Sequence, residues 1–238
     1  MNARVAALTY KRQRFPPAII AHAVWLYCRF ALSYRDVEGL RAERGVIVTH
    51  ETMRQWCRTF GQDYANELRR RRPRPGDTWH LDEVFVSVNG VQHSLWRAVD
   101  QDGHVRDILA QARRDRAGAV QFLRTLLQGL AYGPRVVITD KLASDGAALR
   151  AVLPSVEHRR HKGLNNRAEH AHQPTRARER RMRRCKDPGH AQRFLAASGP
   201  IASHFRPRRH RLTAETYREI RQERFATWRV VTGTPAMA

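Results

Sequence analysis

Three acidic residues, Asp82, Asp140 and Glu169, stand where metal-assisted phosphate chemistry would need them. Asp82 lies inside the β-rich run WHLDEVFVSV (79–88), and a carboxylate in a buried strand is costly unless it is paired or binds a cation. Asp140 directly follows the apolar run Val136-Val137-Ile138, at the carboxyl end of a strand, where open sheets place their sites. Glu169 falls in a helical stretch, with Asn165 and Asn166 before it and His172 and Gln173 after it on roughly one face. Magnesium takes oxygen ligands, usually a few carboxylates with phosphate and water. Two such ions can activate an attacking oxygen and stabilise a leaving one in phosphoryl transfer. Singly, an Asp at a strand end is often a turn residue and a Glu in an Arg-rich helix a surface ion pair. Asp82 is the hardest of the three to explain away.

The elements that would carry these acids follow from the patterning. From Pro16 onward, Ile19, Ile20, Ala23, Val24 and Tyr27 repeat at helical spacing. Ser33 followed by Asp36 reads as a capped helix start, with Gly45 near that helix's end. Thr49 caps a third helix, Glu51 to Phe60. Three short helices with a tight turn between the last two form a helix-turn-helix pattern. Its third helix would present His50, Thr52, Arg54, Gln55 and Arg58 to a DNA groove. The run 69–75 is basic and holds two prolines, which predicts a linker. Strands are expected at 79–88, 91–99 and 105–111, turning at Asn89-Gly90 and Asp102-Gly103. A helix from Asp115, a buried strand at 135–139, a helix at 144–152 and a short strand at 155–158 come next. A helix from Leu164, kinked at Pro174, one from Pro188 to Phe205 and a last one capped by Thr213 complete the chain. Three antiparallel strands followed by alternating helix and strand predict an α/β fold, a mixed five-stranded sheet with flanking helices. The implied organisation is a basic arm (1–14), a small all-α helix-turn-helix domain (15–62), a basic Pro-rich linker (63–76), a catalytic domain (77–205) and a basic C-terminal helix and tail (206–238).

Composition names the partner. The chain has 238 residues with 44 Lys and Arg against 22 Asp and Glu, a formal net charge of +22. Such a chain seeks a polyanion, because each basic side chain on a phosphate releases condensed counterions. Only Lys11, Lys141, Lys162 and Lys186 are lysines, so arginine, suited to bidentate phosphate contacts, supplies nearly all the positive charge. The charge runs through the whole chain, which favours nucleic acid over a membrane surface. In the tract RARERRMRRCK (176–186), Arg176, Arg180, Arg181, Arg183 and Arg184 are expected to hold DNA phosphates. Cys28, Cys57 and Cys185 are far apart and odd in number, as in a reducing cytoplasm. His158, His161, His170, His172 and Cys185 lack the paired spacing of a zinc finger. The most apolar window, 15–32, is broken by His22 and Arg29, and no secretory signal core is evident. A bacterial cytoplasmic protein associated with the nucleoid is expected.

The motifs WHLDEVFV (79–86), LWRAVDQDG (95–103), VVITDKLASDGAALR (136–150) and HKGLNNRAEHAHQPTRARERRMRR (161–184) resemble, in order, those of the DDE transposases of bacterial insertion sequences, specifically the insertion-sequence-six family. The stretch RFPPAIIAHAVWLYCRFALSYRDVEGLRAERGV (14–46) looks like that family's N-terminal region. The resemblance implies an RNase H-like, retroviral-integrase-like catalytic core. It implies Asp82, Asp140 and Glu169 as the metal-binding acids of a divalent-metal site, two Mg²⁺ or Mn²⁺ ions being expected there; Asn165, Asn166 and His172, by their place on the helix beside Glu169, are expected to support them. It also implies transfer of the element's 3′-hydroxyl ends into target DNA, binding to double-stranded terminal inverted repeats, and a homo-oligomer, at least a dimer on DNA. The competing readings are a helix-turn-helix regulator and an inactive relic of a transposase. A regulator has no need of a carboxylate inside 79–88.

Overall fold

The computed structural model describes residues 10–72, 76–101, 105–111, 116–128, 132–140, 143–161, 187–207 and 212–234. In chain order the elements are α1 (Pro17–Arg29), α2 (Tyr34–Ala42), α3 (His50–Arg70), β1 (Thr78–Val88), β2 (Val91–Asp100), β3 (Val105–Gln111), α4 (Arg116–Gln128), β4 (Val136–Thr139), α5 (Ala143–Val152), β5 (Glu157–Arg160), α6 (Pro188–His204) and α7 (Ala214–Thr232). They fall into two compact units, Met1–Arg72 with Ala197–Ala238, and Pro73–Ala196.

In the sheet unit, Asn89 and Gly90 both take positive φ (51° and 82°), which suits a two-residue turn and joins β1 to β2 as an antiparallel hairpin. β3 extends the meander beside β2. β4 then pairs parallel to β1 on the opposite side, and β5 pairs parallel to β4, giving the order β3-β2-β1-β4-β5. This is the mixed five-stranded sheet expected of an RNase H-like core. Alternation sends Trp79 and Leu81 of β1, Trp96 and Ala98 of β2 and Val137 of β4 to one face. There they form a core with Phe122, Leu123 and Leu126 of α4 and Ala148 and Leu149 of α5. His80, Asp82, Arg97 and Ile138 therefore belong to the other face. β5 spans Glu157–Arg160 rather than 155–158, and its side chains are largely exposed, as suits a charged edge strand.

In the helical unit, α2 begins with a reciprocal cap. The Asp36 amide donates to Ser33 Oγ at 3.1 Å and the Ser33 amide to the Asp36 carboxylate at 2.7 Å. The Thr49 and Thr213 hydroxyls accept amide hydrogen bonds at the starts of α3 and α7. Two expectations need correcting here. Residues 43–49 separate α2 from α3, a longer connection than the tight turn of a helix-turn-helix pair. And α3 does not stop near Phe60. Its buried stripe runs on through Tyr64 and Leu68, so residues 63–70 are helix rather than linker. Glu67 steadies that end by pairing with Arg70 and Arg71. The C-terminal segment also packs within this unit, where Tyr64 meets Trp228 of α7 edge-on at 5.2 Å. Tyr10 Oη donates to the Thr232 carbonyl and takes the Tyr64 hydroxyl proton, both at 2.6 Å. No helix among the described residues is long and apolar enough to cross a membrane.

Candidate active site

The β1–β4 register sets the geometry of the acids. Thr78, Trp79 and His80 pair with Val136, Val137 and Ile138. Carried two residues further, the same register places Asp82 level with Asp140. Parallel partners share a face, and neighbouring strands lie about 4.8 Å apart. Both residues are half-buried, on the face away from the Trp79–Phe122 core. Two carboxylates so placed are the hard oxygen donors that Mg²⁺ or Mn²⁺ takes, so the donor set fits such an ion. Among the described residues no group of three or more His, Cys, Asp or Glu gathers to hold a metal. Glu169 lies outside the described residues, as do Asn165, Asn166, His172 and the basic positions Arg176, Arg180, Arg181, Arg183 and Arg184.

Local bonding fixes the backbone that presents Asp140. Thr139 is fully buried, and its hydroxyl donates to the Asp140 carbonyl at 2.9 Å. That hydroxyl also lies 2.9 Å from His158 Nε2 of β5. Its own proton being used, it accepts, so His158 carries its proton on Nε2. Burial, then the Arg160 and Arg150 cations, push His158 below its ordinary pKa and keep it neutral. The His161 amide donates to the Thr139 carbonyl at 3.2 Å and extends the β4–β5 pairing past Asp140.

Arg97 escaped the sequence reading. It is buried and stands directly across β2 from Asp82. A two-residue turn at Asn89-Gly90 already dictates that pairing, since it sets the register of the hairpin.

The candidates for DNA contact lie on α3. Arg54, Gln55 and Arg58 are exposed, whereas Met53, Trp56 and Phe60 are buried. Arg54 forms a two-pronged bond with Glu51 (2.5 and 2.9 Å), and His50 Nδ1 lies 3.2 Å from Glu38 of α2. One polar face of α3 is thus free of core duty.

The chain matches the DDE-domain family model over residues 76–207. It is 30% identical over 177 residues to the transposase for insertion sequence-like element IS431mec of Staphylococcus aureus, covering 72% of this chain and 79% of the relative. The same figures hold for the transposase of insertion sequence element IS257 in transposon Tn4003, also from Staphylococcus aureus. Among solved structures it is similar to a simian T-cell lymphotropic virus intasome in complex with PP2A regulatory subunit B56 gamma, at 15% identity and a TM-score of 0.40, covering 54% of this chain and 50% of that one. The HTLV-2 integrase catalytic core domain in complex with magnesium is similar at 16% identity and a TM-score of 0.32, covering 40% and 67%. Family model, relatives and sheet agree: this chain belongs to the DDE transposases of insertion sequences, of the insertion-sequence-six type, enzymes of DNA transposition.

Proposed function

We propose that Asp82, Asp140 and Glu169 together hold two divalent cations, Mg²⁺ or Mn²⁺, at which the ends of the element are cut and joined to target DNA. The observation that supports this reading is the β1–β4 register, whose last pair, His80 with Ile138, stands two residues before Asp82 and Asp140. Bound there, the cations would supply charge to stabilise the attacking and leaving oxygens of the phosphoryl transfer. The chain's own part is positional. β1 and β4 are central strands packed on α4 and α5, so the two carboxylates stand on rigid backbone. Thr139 and His158 brace that backbone at Asp140, and Arg97 stands opposite Asp82 on β2.

His50, Arg54, Gln55 and Arg58 of α3 read the double-stranded terminal inverted repeats in this proposal, and the arginines of 176–184 hold phosphates near the acids without reading bases. The working form is a homo-oligomer, at least a dimer, assembled on the bacterial nucleoid. Strand transfer demands two element ends, which two copies bring together.

The test uses end-labelled duplexes carrying the element's terminal repeats, a plasmid target and Mg²⁺, scoring cut and joined products separately. Asp82→Ala, Asp140→Ala and Glu169→Ala are each expected to abolish joining while terminal-repeat binding stays within about twofold. Joining that survives loss of any one carboxylate would remove that residue from the site.

A further inference from the structure

The helical unit holds a pocket that the chemistry above does not use. It lies between α1, α7 and the segment after α6, with a volume of about 250 Å³. That is slightly below the usual range for small-molecule sites, about 300–1,000 Å³. The walls combine two kinds of group. Trp25, Tyr217 and Phe225 supply aromatic surface, while Arg29, Arg221 and Arg224 supply guanidiniums.

These groups are arranged for a polar, negatively charged guest. Arg221 lies 5.8 Å from the Tyr217 ring centre and 6.0 Å from that of Phe225, and Trp25 meets Phe225 edge-on at 5.4 Å. Tyr217, Arg221, Arg224 and Phe225 recur at helical spacing on one face of α7, whereas Glu215, Glu219 and Glu223 fall on the opposite face. No described residue lining the pocket is acidic. Burial holds Arg29 below its ordinary pKa; Tyr217 pulls the other way, and Arg221 pushes it lower still. Two buried donors on these walls, Trp25 Nε1 and Arg224 Nε, have no hydrogen-bond partner among the described residues.

We propose that this pocket takes one unpaired nucleotide of a DNA strand, its base against Trp25 and Phe225 and its phosphate on Arg29, Arg221 and Arg224. Every base has a π-face for the rings. The volume suits a single base, and the guanidiniums match phosphate geometry. The inference rests on DNA as the protein's substrate. It adds a site for an extruded or single-stranded nucleotide, built from residues of the helical unit other than the polar ones of α3.

The experiment measures fluorescence anisotropy of the full-length protein with a labelled single strand and with a duplex of the same sequence, in EDTA. Arg221→Gln and Tyr217→Leu are each expected to weaken single-strand binding roughly tenfold, with duplex binding changed less than about twofold. Arg221→Gln also flattens the salt slope for the single strand by about 0.7, whereas Tyr217→Leu leaves it unchanged. Arg218→Gln removes a charge from α7 outside the pocket and leaves the ratio of the two affinities alone. If Tyr217→Leu melts early, Arg29→Gln from α1 gives the same selective loss of single-strand binding, with the salt slope flattened as for Arg221→Gln. Equal loss on both DNAs, or no loss, overturns the proposal. So does competition by free deoxyadenosine monophosphate as strong as by the strand. Because no divalent ion is present, failure here leaves the strand-transfer test of the acids untouched.

Discussion

In the sheet unit the charges proposed for chemistry are carboxylates in β1 and directly after β4, whereas in the helical unit the charges proposed for DNA are arginines on an exposed face of α3 and around an aromatic pocket. β1 and β4 pair at fixed offset up to His80 and Ile138, two residues before Asp82 and Asp140, and a slip of one residue would turn every side chain to the other face. Arg54 and Arg58 are available because α3 buries Met53, Trp56 and Phe60 and leaves them outside. The first arrangement tolerates no positional error, as metal chemistry demands. The second tolerates a good deal, because long flexible side chains find phosphates and base edges over several ångströms. Chemistry and recognition are therefore expected to fail separately.

The largest expected effect sharpens that separation. Asp82→Asn keeps the shape and loses the charge, and joining is expected to fall at least about a thousandfold, on the scale of a lost metal contact in the transition state. Binding to terminal repeats, measured by footprinting, stays within about twofold; a parallel loss of binding would merge the two roles. The converse change, Arg58→Gln on α3, is expected to cost roughly 1–3 kcal/mol of discrimination between terminal repeats and random duplex. Joining per bound complex should hold steady, and an unaltered footprint would move recognition off α3.

A smaller effect concerns pH and only the helical unit. Burial first, then the Arg41 and Arg44 cations, hold His22 down at about 4. Arg41 Nη1 donates to His22 Nδ1 at 2.6 Å, so the ring must stay neutral to accept. The unfolded chain protonates His22 near pH 6.5 while the folded unit refuses the proton until about pH 4. Stability is then unaffected above pH 6.5 and falls as pH drops through that window, by on the order of 2 kcal/mol once partial exposure is allowed for. Urea titrations of wild type and His22→Asn should converge at acid pH; parallel curves would discard His22 as the cause. The smallest effect is Ser33→Ala, which removes the α2 cap and costs about 1 kcal/mol by the same titration, with joining at low temperature unchanged.

What was legible in the chain was whatever local chemistry decides. Asn89-Gly90 announced a turn needing two positive φ angles, and Ser33 with Asp36 announced a helix start; both are present. The acids on strand and strand end were readable for the same reason, although their being level depends on pairing between segments more than fifty residues apart. The failures are non-local. The basic run after Leu68 looked unfit for a helix, yet Glu67 binds Arg70 and Arg71 and α3 continues into that run as far as Arg70. The strand Glu157–Arg160 hides its nature because an edge strand need bury little. Nothing in residues 206–238 alone says that Trp228 meets Tyr64.

That last contact has a consequence for how the protein is made. The helical unit is assembled from both ends of the chain, with the whole sheet unit threaded between Arg72 and Ala197. On the ribosome, α1 to α3 emerge first and then wait for Phe205 and Trp228 while the intervening residues are translated, roughly ten seconds at about 5–20 residues per second. The aromatic pocket cannot close, nor Tyr10 find Thr232, until the last helix is out. A prematurely terminated chain thus carries the α3 face but lacks the partners that complete its unit. If α3 reads the element's ends as proposed, a truncated product is then a poor competitor for them.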